Sequence, residues 1–177
     1  DTPSTIEAAG GWPNRDTAYR FADYAAILGE RFGDRVDRWA TLNEPWCSAF
    51  LGYCSGYFAP GRTEPGASLA AAYNLILGHG LAVQRIRAAA PNARVGIVLN
   101  FTPVTAVGSS PAAIDRQRIQ DDLENRWYVE PVAGRGYPAF TAERLGWDQH
   151  EVLPGDLYLM CSDGLSGVVD DAHTAKA

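Results

Sequence analysis

Val36-Asp37-Arg38-Trp39-Ala40-Thr41-Leu42-Asn43 runs into Glu44-Pro45-Trp46. Val36 to Asn43 reads as a β-strand, and Pro45, which has no N–H to give, ends it. A second apolar run, Arg94-Val95-Gly96-Ile97-Val98-Leu99-Asn100, has the composition of a strand buried on both faces. Helical patterns surround these strands. Asn14 can cap a helix with Asp16 in its first turn, and Ala18, Phe21, Ala25, Leu28 and Phe32 then recur at helical spacing. Gly33 is a plausible stop for it. Ser68 can cap a second helix, with Ala72, Ile76, Val83, Ile86 and Ala90 along one face, and Pro91-Asn92 turns the chain. Ser110-Pro111 opens a third, containing Ile119, Leu123 and Trp127 and closed by Gly134-Arg135-Gly136-Tyr137-Pro138.

Strands that alternate with helices imply parallel strands joined by right-handed crossovers. An open doubly wound sheet and a piece of a (β/α)8 barrel both fit. No Gly-x-Gly-x-x-Gly follows either strand, so a dinucleotide site has no support. A complete barrel takes about 250 residues, more than the 177 here. The expectation is therefore α/β, with a partial (β/α)8 TIM barrel as one of two forms.

Composition narrows the function classes. A hydrophobic fraction of 46% and a charged fraction of 20% suit a globular protein. The net charge of −6 disfavours a nucleic-acid partner, because phosphates are repelled. No run of about 18 apolar residues suggests a membrane span. The chain opens on Asp1 without a basic-then-apolar leader, and is expected to be a processed or truncated product. The cysteines Cys47, Cys54 and Cys161 form neither a Cys-x-x-Cys pair nor an even disulfide set. A reducing, cytoplasmic compartment is expected, with a Cys47–Cys54 bridge as the alternative.

Thr41-Leu42-Asn43-Glu44-Pro45 is the best candidate for chemistry, because parallel α/β folds carry catalytic groups at the carboxyl ends of strands. Glu44 can donate a proton to a leaving oxygen, and the Asn43 amide can hydrogen-bond a hydroxyl. Neighbouring strand residues point to opposite faces, so both can serve one pocket only where the strand is irregular. The stretch from Trp46 to Ala67 is long and rich in Gly, Pro, Tyr and Ser, as functional loops are. Its Trp46, Tyr53, Tyr57 and Phe58 suit the C–H faces of sugars, and some of them will be ordinary packing. His79 lies on the apolar face of the second helix and reads as a buried histidine satisfied by one neighbour. His150 and His173 lack metal-ligand spacing, and Asp121, Asp122 and Glu124 read as a solvated helix face.

From about residue 1 to residue 157 the chain resembles family 1 glycoside hydrolases, with the matching pieces in that family's order. They are Asp1-Thr2-Pro3 with Gly10-Gly11-Trp12; Asn14-Arg15-Asp16-Thr17 with Phe21, Asp23 and Tyr24; and Trp39-Ala40-Thr41-Leu42-Asn43-Glu44-Pro45-Trp46. Gly52, Gly56, Ala59-Pro60-Gly61, His79-Gly80, Asn125-Arg126-Trp127 and Gly136-Tyr137-Pro138 follow. The resemblance implies residues 1–157 as a partial TIM barrel of about three or four βα units, and retaining hydrolysis of β-glucosides without a cofactor. Glu44 matches the acid/base, Asn43 the residue that binds the sugar 2-hydroxyl, and Trp46 a residue on the leaving-group side, which Asn100 can also line. Half a sheet leaves open edges, so a homo-oligomer is expected.

The departures bear on activity. The family's nucleophile, a Glu in Thr-Glu-Asn-Gly, has no match here, nor do its first two strands or its eighth-strand tryptophans. Retention needs two carboxylates about 5–5.5 Å apart. Glu64 and Glu130 are the internal candidates for the second, and neither matches the family nucleophile. A non-catalytic barrel fragment or sugar-binding module is the alternative. Residues 158–177 diverge from the family, and within them Tyr158 to Asp171 is similar to a stretch of bacterial metal-dependent Ser/Thr protein phosphatases, in which the Asp of Ser-Asp-Gly binds a metal. The other phosphatase ligands are missing and hard cations want several oxygens, so no metal site is expected at Asp163, and a phosphatase remnant is the weakest alternative.

Overall fold

A computed structural model describes residues 2–146. Asp1 and residues 147–177 lie outside that description, and with them His150, Cys161, Asp163 and His173. The chain divides into two compact units, Asp1–Leu99 and Asn100–Ala177.

The described part of the first unit runs α1 (Ser4–Ala8), α2 (Asp16–Phe32), β1 (Arg38–Asn43), a π-helical turn (Cys47–Leu51), α3 (Pro65–Ala89) and β2 (Arg94–Val98). Strands β1 and β2 pair in parallel, with Arg38 opposite Arg94 and Asn43 opposite Val98, and α3 makes the crossover between them. This is the expected βαβ unit. The Asn14 side-chain oxygen accepts from the Asp16 N–H at 3.0 Å, so Asn14 satisfies the start of α2 as read.

Several expectations for this unit need correction. The buried face of α2 is Thr17, Ala18, Ala22, Ala25 and Gly29, while Phe32 is exposed and Phe21 and Leu28 are half-buried. The large residues flank the seam because α2 and α3 approach too closely to hold them. A Cβ on Gly29 would stand 3.1 Å from the Ala89 Cβ, and one on Gly33 would stand 2.6 Å from the Ala90 Cβ. Gly33 is accordingly right-handed, with φ −63°, and is glycine for space at this crossing and not for a left-handed cap. Strand β2 is not buried on both faces: it alternates between exposed and half-buried, with Val95 and Trp39 packed on Ala25, Ala82, Ile86, Ala90 and Ala93 while Val98 is exposed.

Helix α3 begins at Pro65 and not at Ser68, whose hydroxyl donates to the Pro65 carbonyl at 2.7 Å. Proline suits a first helical turn, where its missing N–H goes unneeded. By length and composition α3 is apolar enough to cross a membrane, with a mean hydropathy of 1.3, although Asn74, His79, Gln84 and Arg85 break its apolar run. Its burial explains that composition: Ala71, Ala72, Leu75, Ile76, Ala82, Val83 and Ile86 face neighbours on several sides. It is the central helix of this unit.

The second unit holds α4 (Pro111–Asp121), a π-helical turn (Asp122–Arg126), α5 (Trp127–Val132) and α6 (Ala139–Arg144). Ser110 caps α4, its hydroxyl oxygen accepting from the Ala113 N–H at 3.2 Å. The acidic run is not a wholly solvated face. Asp122 is buried and accepts from the Thr141 hydroxyl at 2.6 Å, while Asp121 accepts from Asn125 and Arg126. Spacing alone does not reveal a partner that lies beyond the next turn.

Candidate active site

Strand β1 is irregular at its carboxyl end. Ala40 pairs with Gly96 and Asn43 with Val98, so β1 takes three steps where β2 takes two, and one extra residue is absorbed between them. Glu44 then turns left-handed, with φ 47°, the only positive φ outside glycine among the described residues. Such a backbone costs an ordinary L-residue about 1–2 kcal/mol, and strain of this kind collects at functional positions. Its N–H donates to the Val98 carbonyl at 2.8 Å, and its carbonyl accepts from the Cys47 N–H at 2.9 Å. Glu44 is therefore held by both strands and by the turn that follows.

That turn corrects the reading of Trp46 to Ala67 as irregular throughout. Residues 45–53 are helical, with a π bulge over Cys47–Leu51, and Pro45 stands at the first helical position. Proline at that place is the signal that sequence reading passed over. Winding there sets the Cys47 Sγ 3.5 Å from Glu44 Oε2. Burial first, then the hydrogen bond to Glu44 and its charge, push the Cys47 thiol up from its ordinary value. Cys47 and Cys54 are both free thiols, so the alternative of a bridge between them fails.

Trp46 is half-buried and stacks on Phe50, ring centroids 5.6 Å apart at 14°. Of the other aromatic candidates, Tyr53 is packing. It is 1% exposed, donates to Glu7 and accepts from the Trp12 N–H at 3.1 Å, and burial, then the hydrogen bond to Glu7, pushes its pKa up. Tyr57 and Phe58 are exposed and stack on one another. His79 is buried as read, 2.7 Å from the Thr41 hydroxyl through Nδ1, and desolvation then the charge of Arg87 push its pKa down to about 4. It anchors α3 to β1 from beneath the candidate site.

The structure does not gather all the named residues into one cavity. A cavity of about 660 Å³ runs beside β1 and is lined by Thr41, Leu42 and Asn43 together with Ile6, Trp12 and Phe21. Asn43 faces it, whereas Glu44 and Trp46 are not among its walls. Its lining is mainly apolar, with Thr17, Arg20, Thr41, Asn43 and Ser48 among its polar walls. Asn100 is half-buried in the second unit. The two internal carboxylates are engaged by arginines: Glu64 by Arg62 at 2.8 Å, and Glu130 by Arg135 at 3.3 Å and Arg126 at 3.8 Å. No cluster of His, Cys, Asp and Glu suited to a metal occurs among the described residues.

The model of glycosyl hydrolase family 1 matches residues 1–156. A thermostable β-glucosidase B of Thermobispora bispora is 43% identical over 138 residues, 78% of this chain and 28% of that protein. A β-glucosidase of Agrobacterium is 38% identical over 146 residues, 82% of this chain and 32% of that protein. The crystal structure of a psychrophilic β-glucosidase of Micrococcus antarcticus superposes with a TM-score of 0.82 at 42% identity, covering 92% of this chain and 35% of that one. The chain thus spans about a third of the length of the relatives it matches. The phosphatase resemblance of the tail is not borne out.

Proposed function

The chain belongs to glycosyl hydrolase family 1, and from that premise we propose that its chemistry is retaining hydrolysis of β-glucosides with Glu44 as acid/base. The observation that carries the reading is the strained, doubly anchored backbone of Glu44 at the carboxyl end of β1. In the first step Glu44 gives its proton to the glycosidic oxygen as the bond to the sugar breaks and a second carboxylate bonds to the sugar carbon. In the second step the Glu44 carboxylate takes a proton from water, which displaces that carboxylate. Asn43 holds the sugar 2-hydroxyl, and Trp46, backed by Phe50, lines the leaving-group side. We assign residues 1–157 to three or four βα units of a (β/α)8 barrel and residues 158–177 to a divergent tail; the family match, which ends at residue 156, supports that boundary. The free thiols Cys47 and Cys54 support a cytoplasmic protein.

A second reading, a sugar-binding portion of a barrel without turnover of its own, is favoured by the arginines that occupy Glu64 and Glu130. One experiment separates the two. Cellobiose and a nitrophenyl β-glucoside are offered to the native chain and to Glu44→Gln, which keeps the size and removes the proton. Under the first reading Glu44→Gln lowers cellobiose turnover about a hundredfold or more. The nitrophenyl substrate loses less in its first step, since its leaving group needs little protonation, and azide restores part of its turnover. An active native chain whose rates ignore Glu44→Gln overturns the role of Glu44. A native chain that binds glucoside and turns none over leaves the second reading standing.

A further inference from the structure

We propose that Cys47 is a positioning residue for Glu44, its thiol donating a hydrogen bond that fixes the orientation of the carboxylate. The inference rests on the reading of Glu44 as the acid/base, although the contact stands on geometry alone. Cys47 touches Glu44 twice, through its backbone N–H on the Glu44 carbonyl at 2.9 Å and through Sγ at 3.5 Å from Oε2. The first contact and the bond from the Glu44 N–H to the Val98 carbonyl at 2.8 Å pin the backbone of Glu44. The left-handed φ of 47° sets the direction in which its side chain leaves that backbone. What remains free is rotation of the side chain, and the thiol bears on that. Cys47 can do this because the helical turn that opens at Pro45 brings residue 47 back over residue 44. A half-buried thiol beside a carboxylate keeps its proton on sulfur, as the upward push on Cys47 from burial and Glu44 indicates, so sulfur is the donor and Oε2 the acceptor. A thiol is a weak donor, so it orients the carboxylate without competing strongly with a substrate oxygen for it.

The test reads the thiol and needs no glucoside turnover. Infrared spectroscopy follows the S–H stretch, assigned to Cys47 by its disappearance in Cys47→Ser. Iodoacetamide labelling, resolved by peptide mass, follows the alkylation rate of Cys47 with Cys54 as internal reference. The expected result is a Cys47 S–H band shifted to lower frequency than that of an unbonded thiol, returning toward it in Glu44→Gln. Alkylation of Cys47 should rise at least about threefold in Glu44→Gln, because the thiolate no longer forms beside a charge, while Cys54 is unchanged. If Glu44→Gln fails to fold, the position of the native Cys47 band decides alone. A native band at the unbonded frequency, or a Cys47 band and rate indifferent to Glu44→Gln, overturns the proposal. These outcomes are independent of turnover. An active chain with an indifferent thiol loses the pairing and keeps Glu44 as acid, whereas an inactive chain with a responsive thiol keeps the pairing and loses the enzymatic reading.

Discussion

Glu44 is legible in sequence by its neighbours and illegible by its backbone. Thr41-Leu42-Asn43-Glu44-Pro45 points to the end of a strand, and the requirement that the strand be irregular for Asn43 and Glu44 to act together follows from the alternation of strand side chains. The irregularity is present as an extra residue before Asn43 and a left-handed Glu44. Nothing in the residue type announces it, since left-handed φ is signalled by glycine or asparagine and glutamate gives no such hint. Residue type does not announce Cys47 as a partner of Glu44 either, because the helical turn that joins them has the composition of a loop. The strain has a measurable signature. Glu44→Gly should unfold at higher urea concentration than Glu44→Ala, by about 1 kcal/mol, since both remove the carboxylate and only glycine relieves the backbone. An alanine variant as stable as the glycine variant would mean that the turn is not strained at this residue.

Among the elements, helix α3 is the one whose partners set the rest. Its composition reads correctly as helix and Pro65 marks its start, but its all-round burial follows from contacts with α2 and β1 that no periodicity encodes. The face of α2 was misplaced for a related reason: the pattern favours large apolar residues, and the crossing selects small ones. His79 on α3 was legible as a buried histidine, and Thr41 is its partner. Its folded pKa, about 4, lies below the value near 6.5 that an exposed histidine has. Between those values the unfolded chain binds the proton that the folded chain refuses. Stability is therefore undiminished by this group above about pH 6.5, and falls as pH drops toward 4, by at most about 3 kcal/mol. Urea unfolding at pH 7 and pH 4.5 checks this. The native chain should lose more stability than His79→Gln between the two, and equal losses would place the titrating group elsewhere.

For the molecule as a whole, the parallel βαβ arrangement was legible because helices alternate with strands at the right lengths, while among the described residues β1 pairs only with β2, on one of its two edges. An unpaired strand edge is a template for another chain. We expect association of the purified chain, seen in light scattering as a mass that rises with concentration from that of a single copy. A single-copy mass across the whole range would show that the edge is guarded in solution. The π-turn acid Asp122 and its buried bond to Thr141 were not legible at this scale either, because the partner lies 19 positions away in sequence.

Ala18, Ala22, Ala25 and Gly29 form the buried face of α2, and at Gly29 the backbone comes against Ile86 and Ala89 of α3 with almost no side chain between. Natural variation along α2 should therefore be banded. At these positions drift is confined to the smallest side chains, since any added bulk must prise two helices apart. One step round the helix, at Tyr19, Asp23 and Ile27, the residues are exposed and the chain is free to wander in size and charge. The segment most permissive in composition and the segment least permissive are thus the same helix, told apart only by the angle from which it is viewed.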